Sequence, residues 1–391
     1  MSRVLLYSLF LVLGLVLSQF IPLWVQGDSL DVLQSVINSL LYICLAYVMI
    51  NVGREFEVDK VHWRRYTKDY FIAMATAAAP WIFVSAYYIF VLLPSVYYND
   101  STAWKESLLL GRFAAPTSAG ILFTMLIACG LKKSWIYRKI QVLAIFDDLD
   151  TVLLMIPLQM AIVGMQWEMG VIVGIVSVLL VFGWRKMSSY NFKQEWWNIL
   201  HYAFWVFAAT WVIYYFFQIH IEVLLPAFIL GMVMRHKKSK RAGKRSAAVI
   251  ISLFFMLLVG LSMPHFGSIE AEAIPQAAPS LLGSQPMLPW ITIVLHVILV
   301  TTLSNIGKLV PIFFYRDRMI EERLAVSIGM FIRGEVGAGV IFIAIGYNIG
   351  GPALIISILT LILNLVLTGF FIAIVKKLAF KAARTKEAVG S

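Results

Sequence analysis

Apolar runs of about 20 residues recur along nearly the whole chain, and they limit the possible folds more than any other feature. A helix needs about 20 apolar residues to cross the hydrocarbon core of a bilayer. Composition points the same way, because only 14% of the 391 residues are charged, against about 25% in soluble domains. The sequence therefore predicts an all-α polytopic membrane protein. Its twelve predicted spans, numbered 1 to 12, are approximately 4–25, 32–53, 71–94, 107–130, 140–165, 167–184, 196–217, 219–235, 247–264, 287–315, 324–347 and 352–375.

The basic residues give the predicted orientation. Of the 32 Lys and Arg residues, 28 fall in alternate loops between the spans. Because positively charged loops stay on the cytoplasmic side, we expect both termini in the cytoplasm of a multi-pass protein of the cell inner membrane. The net charge of +11 is then mostly a surface that faces anionic lipid. We therefore expect the lipid bilayer, and no nucleic acid, as the partner of this charge.

Seven ionisable residues lie inside the predicted spans, where charge is costly and usually functional. Helical rise of 1.5 Å per residue brings most of them, together with residues 116–118 of span 4, near the middle of the bilayer. Arg112 lies nearer the outer face, where we expect it only to snorkel or to form a pair. The seven are the bases Arg112, Lys308 and Arg333 and the acids Asp147, Asp148, Asp150 and Glu335.

The adjacent carboxylates Asp147 and Asp148 are the sharpest feature of span 5. Two neighbouring carboxylates in the membrane cannot both ionise at low cost without a cation. Such a pair could alternate between a proton and Na⁺, for which oxygen atoms are suitable ligands. The alternative is a static network of ion pairs that fixes helix packing, an interpretation that applies to Asp150 as well. The other candidate oxygen ligands are Thr117, Ser118 and Thr151, with Asp150 and Asn305 as possible accessory residues.

Two spans contain breaks at similar depth. Span 4 contains Ala-Ala-Pro-Thr-Ser-Ala-Gly over 114–120, and span 11 contains Arg-Gly-Glu-Val-Gly-Ala-Gly over 333–339. Proline removes a backbone donor and glycine weakens a helix, so we predict two interrupted helices and inverted repeats around a transport site. Broken helices leave dipole ends that need charge compensation, which Lys308, Arg333 and Glu335 could supply. Alternatively, the glycines only permit close helix packing.

At these residues the sequence resembles the monovalent cation:proton antiporter superfamily. Ala144-Ile-Phe-Asp-Asp-Leu149 is similar to the paired-aspartate motif of span 5, and Ile306-Gly-Lys-Leu309 resembles the lysine motif of span 10. Gly329-Met-Phe-Ile-Arg-Gly-Glu335 resembles a signature of span 11. The resemblance runs from about residue 40 to residue 375.

The resemblance implies roles for these residues. Asp148 would bind the cation and the proton, and Asp147 would pair with Lys308 in one state. Residues 71–166 and 287–376 would form the two halves of a moving transport core. Residues 1–70 and 167–286 would form the panel of a homodimer, with 377–391 as a cytoplasmic tail. Two aspartates and a lysine also imply electrogenic exchange.

The sequence therefore favours a secondary antiporter that exchanges Na⁺ or Li⁺ for H⁺, with no cofactor and no enzymatic activity. The departures from the family pattern are Ser118, where relatives often have aspartate, the additional Asp150, and Arg333 with Glu335, which belong to other branches. They leave two alternatives of the same fold. These are a K⁺/H⁺ antiporter and a sodium-coupled symporter in which Arg333 clamps an organic anion. A cation channel lacks support because no symmetric filter repeats in the sequence.

Overall fold

The computed structural model describes residues 2–25, 28–54, 63–163, 167–186, 189–193, 195–217, 223–234, 243–262, 280–346 and 349–390. Within these ranges some side chains are outside the description, among them those of Asp148, Thr151 and Glu335. The described residues form an all-α membrane protein, and each predicted span coincides with one or more helices. The first eight helices are α1 (Ser2–Trp24), α2 (Asp28–Arg54), α3 (Trp63–Tyr87), α4 (Ser101–Gly111), α5 (Ala119–Ala128), α6 (Trp135–Val163), α7 (Trp167–Arg185) and α8 (Trp196–Phe217).

The remaining helices complete the list in chain order. They are α9 (Leu224–Val233), α10 (Gly243–Leu261), α11 (Trp290–Gly307), α12 (Pro311–Phe314), α13 (Ile320–Gly329), α14 (Glu335–Gly346) and α15 (Gly351–Gly390). Six described helical stretches are long and apolar enough to cross a membrane, judged by length and composition. They are 32–54, 67–92, 101–128, 196–216, 290–314 and 351–385.

Both spans are interrupted as predicted, but the break of span 11 lies at 330–334, mostly before the predicted segment 333–339. Span 4 consists of α4, a 3₁₀ turn over Arg112–Ala114, non-helical residues 115–118 and then α5. Asp100 begins α4 as an N-cap, because its carboxylate accepts a hydrogen bond from the Thr102 N–H at 2.7 Å. Span 11 consists of α13 and α14, separated by residues 330–334. At each break, some backbone N–H and carbonyl groups form no hydrogen bond within a helix. These groups lie inside a predicted membrane span.

Three other spans differ from their predicted bounds. Span 10 was expected to be continuous, but α11 ends at Gly307 and a turn over 308–310 separates it from α12. The described helix of span 8 has only 10 residues. Span 12 continues as α15 far beyond residue 375, and Lys381 on this extension pairs with Glu321 at 3.0 Å. A main-chain hydrogen bond and the pairing with Lys381 lower the pKa of Glu321.

The chain divides into two compact units. One unit contains Met1–Ser8, His62–Ile162 and Met263–Ser391, and the other contains Leu9–Val61 and Val163–Ser262. The first unit therefore begins earlier than the predicted core halves at 71 and 287, and it includes residues 377–391. It holds all seven ionisable residues of the predicted spans. The assignment of one part as a moving core and the other as a dimer panel stays a prediction.

In the second unit, α2 and α9 cross at glycine. A Cβ atom at Gly53 would overlap the carbonyl oxygen of Phe228. A Cβ atom at Gly231 would overlap the carbonyl oxygen of Ile50. Only a residue without a side chain allows the two backbones to approach this closely. This unit carries no ionisable pair of the candidate site.

Candidate ion-binding site

The interruptions of spans 4 and 11 lie against each other in the first unit. The Ser118 N–H donates to the Ile332 carbonyl at 2.9 Å, and Thr117 Oγ1 donates to the Met330 carbonyl at 3.1 Å. A Cβ atom at Gly334 would lie 2.9 Å from both Cβ and Oγ of Ser118. The two breaks therefore satisfy each other's backbone groups, and glycine at 334 is needed for the close approach.

A fully buried ion pair joins α6 to the end of α11. Lys308 Nζ lies 3.0 Å from Asp147 Oδ1 and 2.9 Å from Oδ2, and both side chains have zero exposure. Removing two charges from water costs several kcal/mol per ion, and only good geometry offsets this cost. An ammonium that binds both carboxylate oxygens has such geometry. The pairing is the one that the resemblance implies for Asp147.

The three buried bases share a position at or shortly after a helix end, as expected for Lys308 and Arg333 but not for Arg112. Arg112 directly follows α4, Lys308 directly follows α11, and Arg333 lies four residues after the end of α13. The C-terminal end of a helix carries a partial negative charge, which a nearby cation stabilises. Each base is therefore placed where an interrupted or shortened helix ends inside the protein. Relative exposure is 0% for all three.

Arg333 is bound by carbonyl oxygens. Its Nη1 donates to the Met330 carbonyl at 3.1 Å, and its Nη2 donates to the Ser304 carbonyl at 3.4 Å. The Met330 carbonyl also accepts from Thr117, so it is shared by both interrupted spans. Arg333 also interacts electrostatically with Asp147. It connects the break of span 11 to α11 instead of facing open space.

Arg112 and Asp150 form a second polar group one helical turn along α6 from Asp147. Arg112 Nη2 donates to the main-chain carbonyl of Asp150 at 2.9 Å, and its guanidinium lies 4.4 Å from the centre of the Trp81 ring. The Asp150 side chain interacts with the Tyr70 hydroxyl. Of the two expectations for Arg112, that it snorkels or forms a pair, snorkelling is wrong, because the side chain is completely buried. The break of span 4 turns it inward, against α3 and α6.

The other predicted site residues have the following positions. Ser118 is buried at the break of span 4, and Asn305 lies on α11 close to Lys308. Asn305 Oδ1 has no hydrogen-bond partner among the described residues. The side chains of Asp148, Thr151 and Glu335 lie outside the described residues, so their predicted roles stay predictions.

A further buried acid was missed in the sequence. Asp69 on α3 accepts hydrogen bonds from Lys139 Nζ at 2.7 Å and from the Tyr315 hydroxyl at 2.9 Å. It is 4% exposed and joins α3, α6 and the segment before α13. Its position two residues before predicted span 3 made it resemble an ordinary loop acid. The one sequence signal for a buried ion pair at Asp69 was the basic residues around it, and such residues are common in cytoplasmic loops.

Comparison with known families decides the class. The model of the family described as "Sodium/hydrogen exchanger, transmembrane" matches residues 3–378. The chain belongs to the sodium/hydrogen exchanger family. No curated protein matches the chain. Membership makes this protein a cation:proton antiporter of the membrane, and it places the chain in a family of transporters.

In this exchanger three buried bases lie where helices end inside the protein, and two buried acids, Asp147 and Asp150, lie on the continuous helix α6. Asp147 and Lys308 form a direct salt bridge. Arg333 donates to the Met330 carbonyl, where the two helix breaks meet. Arg112 and Asp150 lie one helical turn along α6 from Asp147. Carboxylates can carry a proton or a small cation, whereas the guanidinium groups remain charged. The arrangement is suited to exchange of a cation for a proton on a carboxylate.

Proposed function

We propose that the protein exchanges Na⁺, or Li⁺, for H⁺ across the membrane by alternating access. Asp148 binds the cation on one side of the membrane and exchanges it for protons on the other side. Thr117, Ser118 and Thr151 supply neighbouring oxygen ligands. Because the cation and the proton compete for the same carboxylate, uptake of one requires release of the other.

One observation carries this proposal within the family. The Asp147–Lys308 pair is fully buried beside two mutually crossing helix breaks. A buried pair of this kind is costly if either partner loses its counter-charge. A cation that binds next to Asp147 therefore weakens the attraction between Asp147 and the Lys308 ammonium, which makes it easier for Lys308 to release its proton. The pair links cation binding to proton release without any chemical transformation.

Further features belong to the same proposal. If Lys308 loses its proton when Na⁺ binds, more than one proton is exchanged per cation and transport is electrogenic. The first unit, which contains the buried charges, moves relative to a panel that forms a homodimer. The protein lies in the cell inner membrane with both termini in the cytoplasm, and its 28 basic residues in alternate loops support this orientation.

The surroundings of Arg333 favour cation exchange over uptake of an organic anion. A clamp for a carboxylate needs guanidinium donors that are available to the substrate. Both terminal nitrogens of Arg333 instead donate to carbonyl groups of the protein.

Flux in proteoliposomes tests the proposal. The purified protein is reconstituted, a pH gradient is imposed, and Na⁺, Li⁺ or K⁺ is added in turn. We expect Na⁺ and Li⁺ to dissipate the gradient, and we expect a membrane potential to change the rate. Dissipation by K⁺ alone would overturn the ion assignment. Entry of Na⁺ together with acidification would overturn antiport.

Replacement of the lysine tests the proton count. We expect Lys308→Gln to lower the number of protons exchanged per Na⁺, because glutamine cannot release a proton. The potential should then affect the rate less than in the parent protein. The measurement is Na⁺ flux against proton flux at several potentials. Lys139→Gln is the matched control, since it removes a lysine that pairs with Asp69, and we expect an unchanged ratio. An unchanged ratio in Lys308→Gln would contradict the proposed role.

A further inference from the structure

Arg112 is held in place by three separate elements. It follows α4, donates to the Asp150 carbonyl of α6, and lies over the ring of Trp81 of α3. The Trp81 ring is itself fixed, because its Nε1 donates to the Leu108 carbonyl at 2.7 Å. A guanidinium over an aromatic face is stabilised electrostatically. The position of this cation is therefore set by the fold.

Asp150 supplies the opposite charge. Its side chain is 1% exposed, and Oδ2 has no hydrogen-bond partner among the described residues. The charge of Arg112 acts on both the Asp150 and the Asp147 carboxylates. Lys308 also acts on Asp150. The four charges thus lie in two groups separated by one turn of α6, and Asp147 forms a direct salt bridge with Lys308.

We propose that Arg112 and Asp150 are a fixed charge pair that sets the cation affinity of the ion site. They are positioning residues, and neither one carries the transported cation. The proposal rests on the proposed cation/proton exchange at Asp148. Nothing in that exchange uses Arg112 or Asp150 directly, so the pair can be altered while the exchanging carboxylate is kept.

Charge balance gives the direction of each effect. Without Asp150, the Arg112 cation acts on the site uncompensated and repels the transported cation. Without Arg112, the Asp150 carboxylate adds uncompensated negative charge and attracts the cation. When both residues are replaced, the net charge that they contribute near the site is again zero, as in the parent protein. A merely structural role would instead raise the KM in both single variants, because either loss would disturb the site.

The experiment is a double-mutant cycle of Na⁺-dependent proton flux in proteoliposomes. We expect Asp150→Asn to raise the Na⁺ KM about tenfold, the effect of one unit charge about 12 Å away in a medium of effective dielectric about 20. We expect Arg112→Met to lower the KM several-fold, within about the same limit. The double variant should have a KM within about twofold of the parent. Higher KM in both single variants, or no recovery in the double variant, would overturn the proposal.

Two further variants separate charge from packing. Arg112→Lys keeps the cation but loses the planar group over Trp81. We expect its KM to stay near that of the parent even if its melting temperature falls. A KM equal to that of Arg112→Met would overturn the proposal, and this comparison decides the matter if the double variant fails to fold. Ser107→Ala, five residues earlier on α4 and also buried, is the control for packing.

The result is distinct from a failure of the proposed function. If the parent protein exchanges Na⁺ for H⁺ and Asp148→Asn does not, the proposed exchange stands. If the KM of the double variant then fails to return to that of the parent, only the proposed charge pair is rejected. If Asp148→Asn retains exchange, the proposed function itself is rejected, whatever the cycle gives.

Discussion

Asp148→Asn should abolish Na⁺-driven proton flux in proteoliposomes. Asparagine keeps the size and shape of the side chain but cannot release a proton or neutralise a cation. We therefore expect a fall in rate of about 10² or more, the order seen when a group essential for proton transfer is removed. The effect should appear at every pH, because the missing group is the carrier itself.

The control for this variant is its neighbour. Asp147→Asn leaves Asp148 intact but deprives the buried Lys308 of its partner. We expect it to lower the melting temperature of the purified protein, because breaking a buried pair costs about 3–5 kcal/mol. Asp148→Asn should remain closer to the parent in stability. Normal exchange by Asp148→Asn would contradict the proposed carrier role.

The helix breaks were predictable from sequence for a local reason. Pro116 lacks a backbone donor and lies in the break of span 4. In span 11, Gly334 lies in the break, but Gly337 and Gly339 belong to α14, so the glycines mark only the end of that break. The structure places the breaks at 112–118 and 330–334. The break after Gly307 also has local marks, namely Gly307 itself and Pro311 at the start of α12. The prediction of one continuous span did not use them.

The partners of the buried charges were less predictable. The resemblance implied a pairing of Asp147 with Lys308, but residue spacing alone gave no such pairing. Arg112 was expected near the outer face because depth was counted along an unbroken helix. The actual 3₁₀ turn redirects its side chain towards Trp81 and Asp150. Long-range contacts of this kind depend on how several helices pack, which no single stretch of sequence encodes.

Gly307→Ala should damage both stability and transport. A Cβ atom at residue 307 would lie 2.5 Å from the backbone nitrogen of Pro80 and 2.6 Å from its Cα. These are backbone atoms of α3, so no side chain can turn away to relieve the overlap. Overpacking typically costs about 1–3 kcal/mol, and we expect the upper end of that range. The melting temperature in detergent measures this cost.

Transport should fall further than stability alone predicts, because residue 307 directly precedes Lys308. Any shift of α11 away from α3 moves the lysine relative to Asp147, and the buried pair depends on contacts of 2.9–3.0 Å. Gly339→Ala is the matched control, since no described atom lies within 4 Å of a Cβ placed there. Alanine in that helix should be neutral or stabilising by up to about 1 kcal/mol. If Gly307→Ala were as stable and as active as Gly339→Ala, the close approach of α3 and α11 would not be what fixes Lys308 at the ion site.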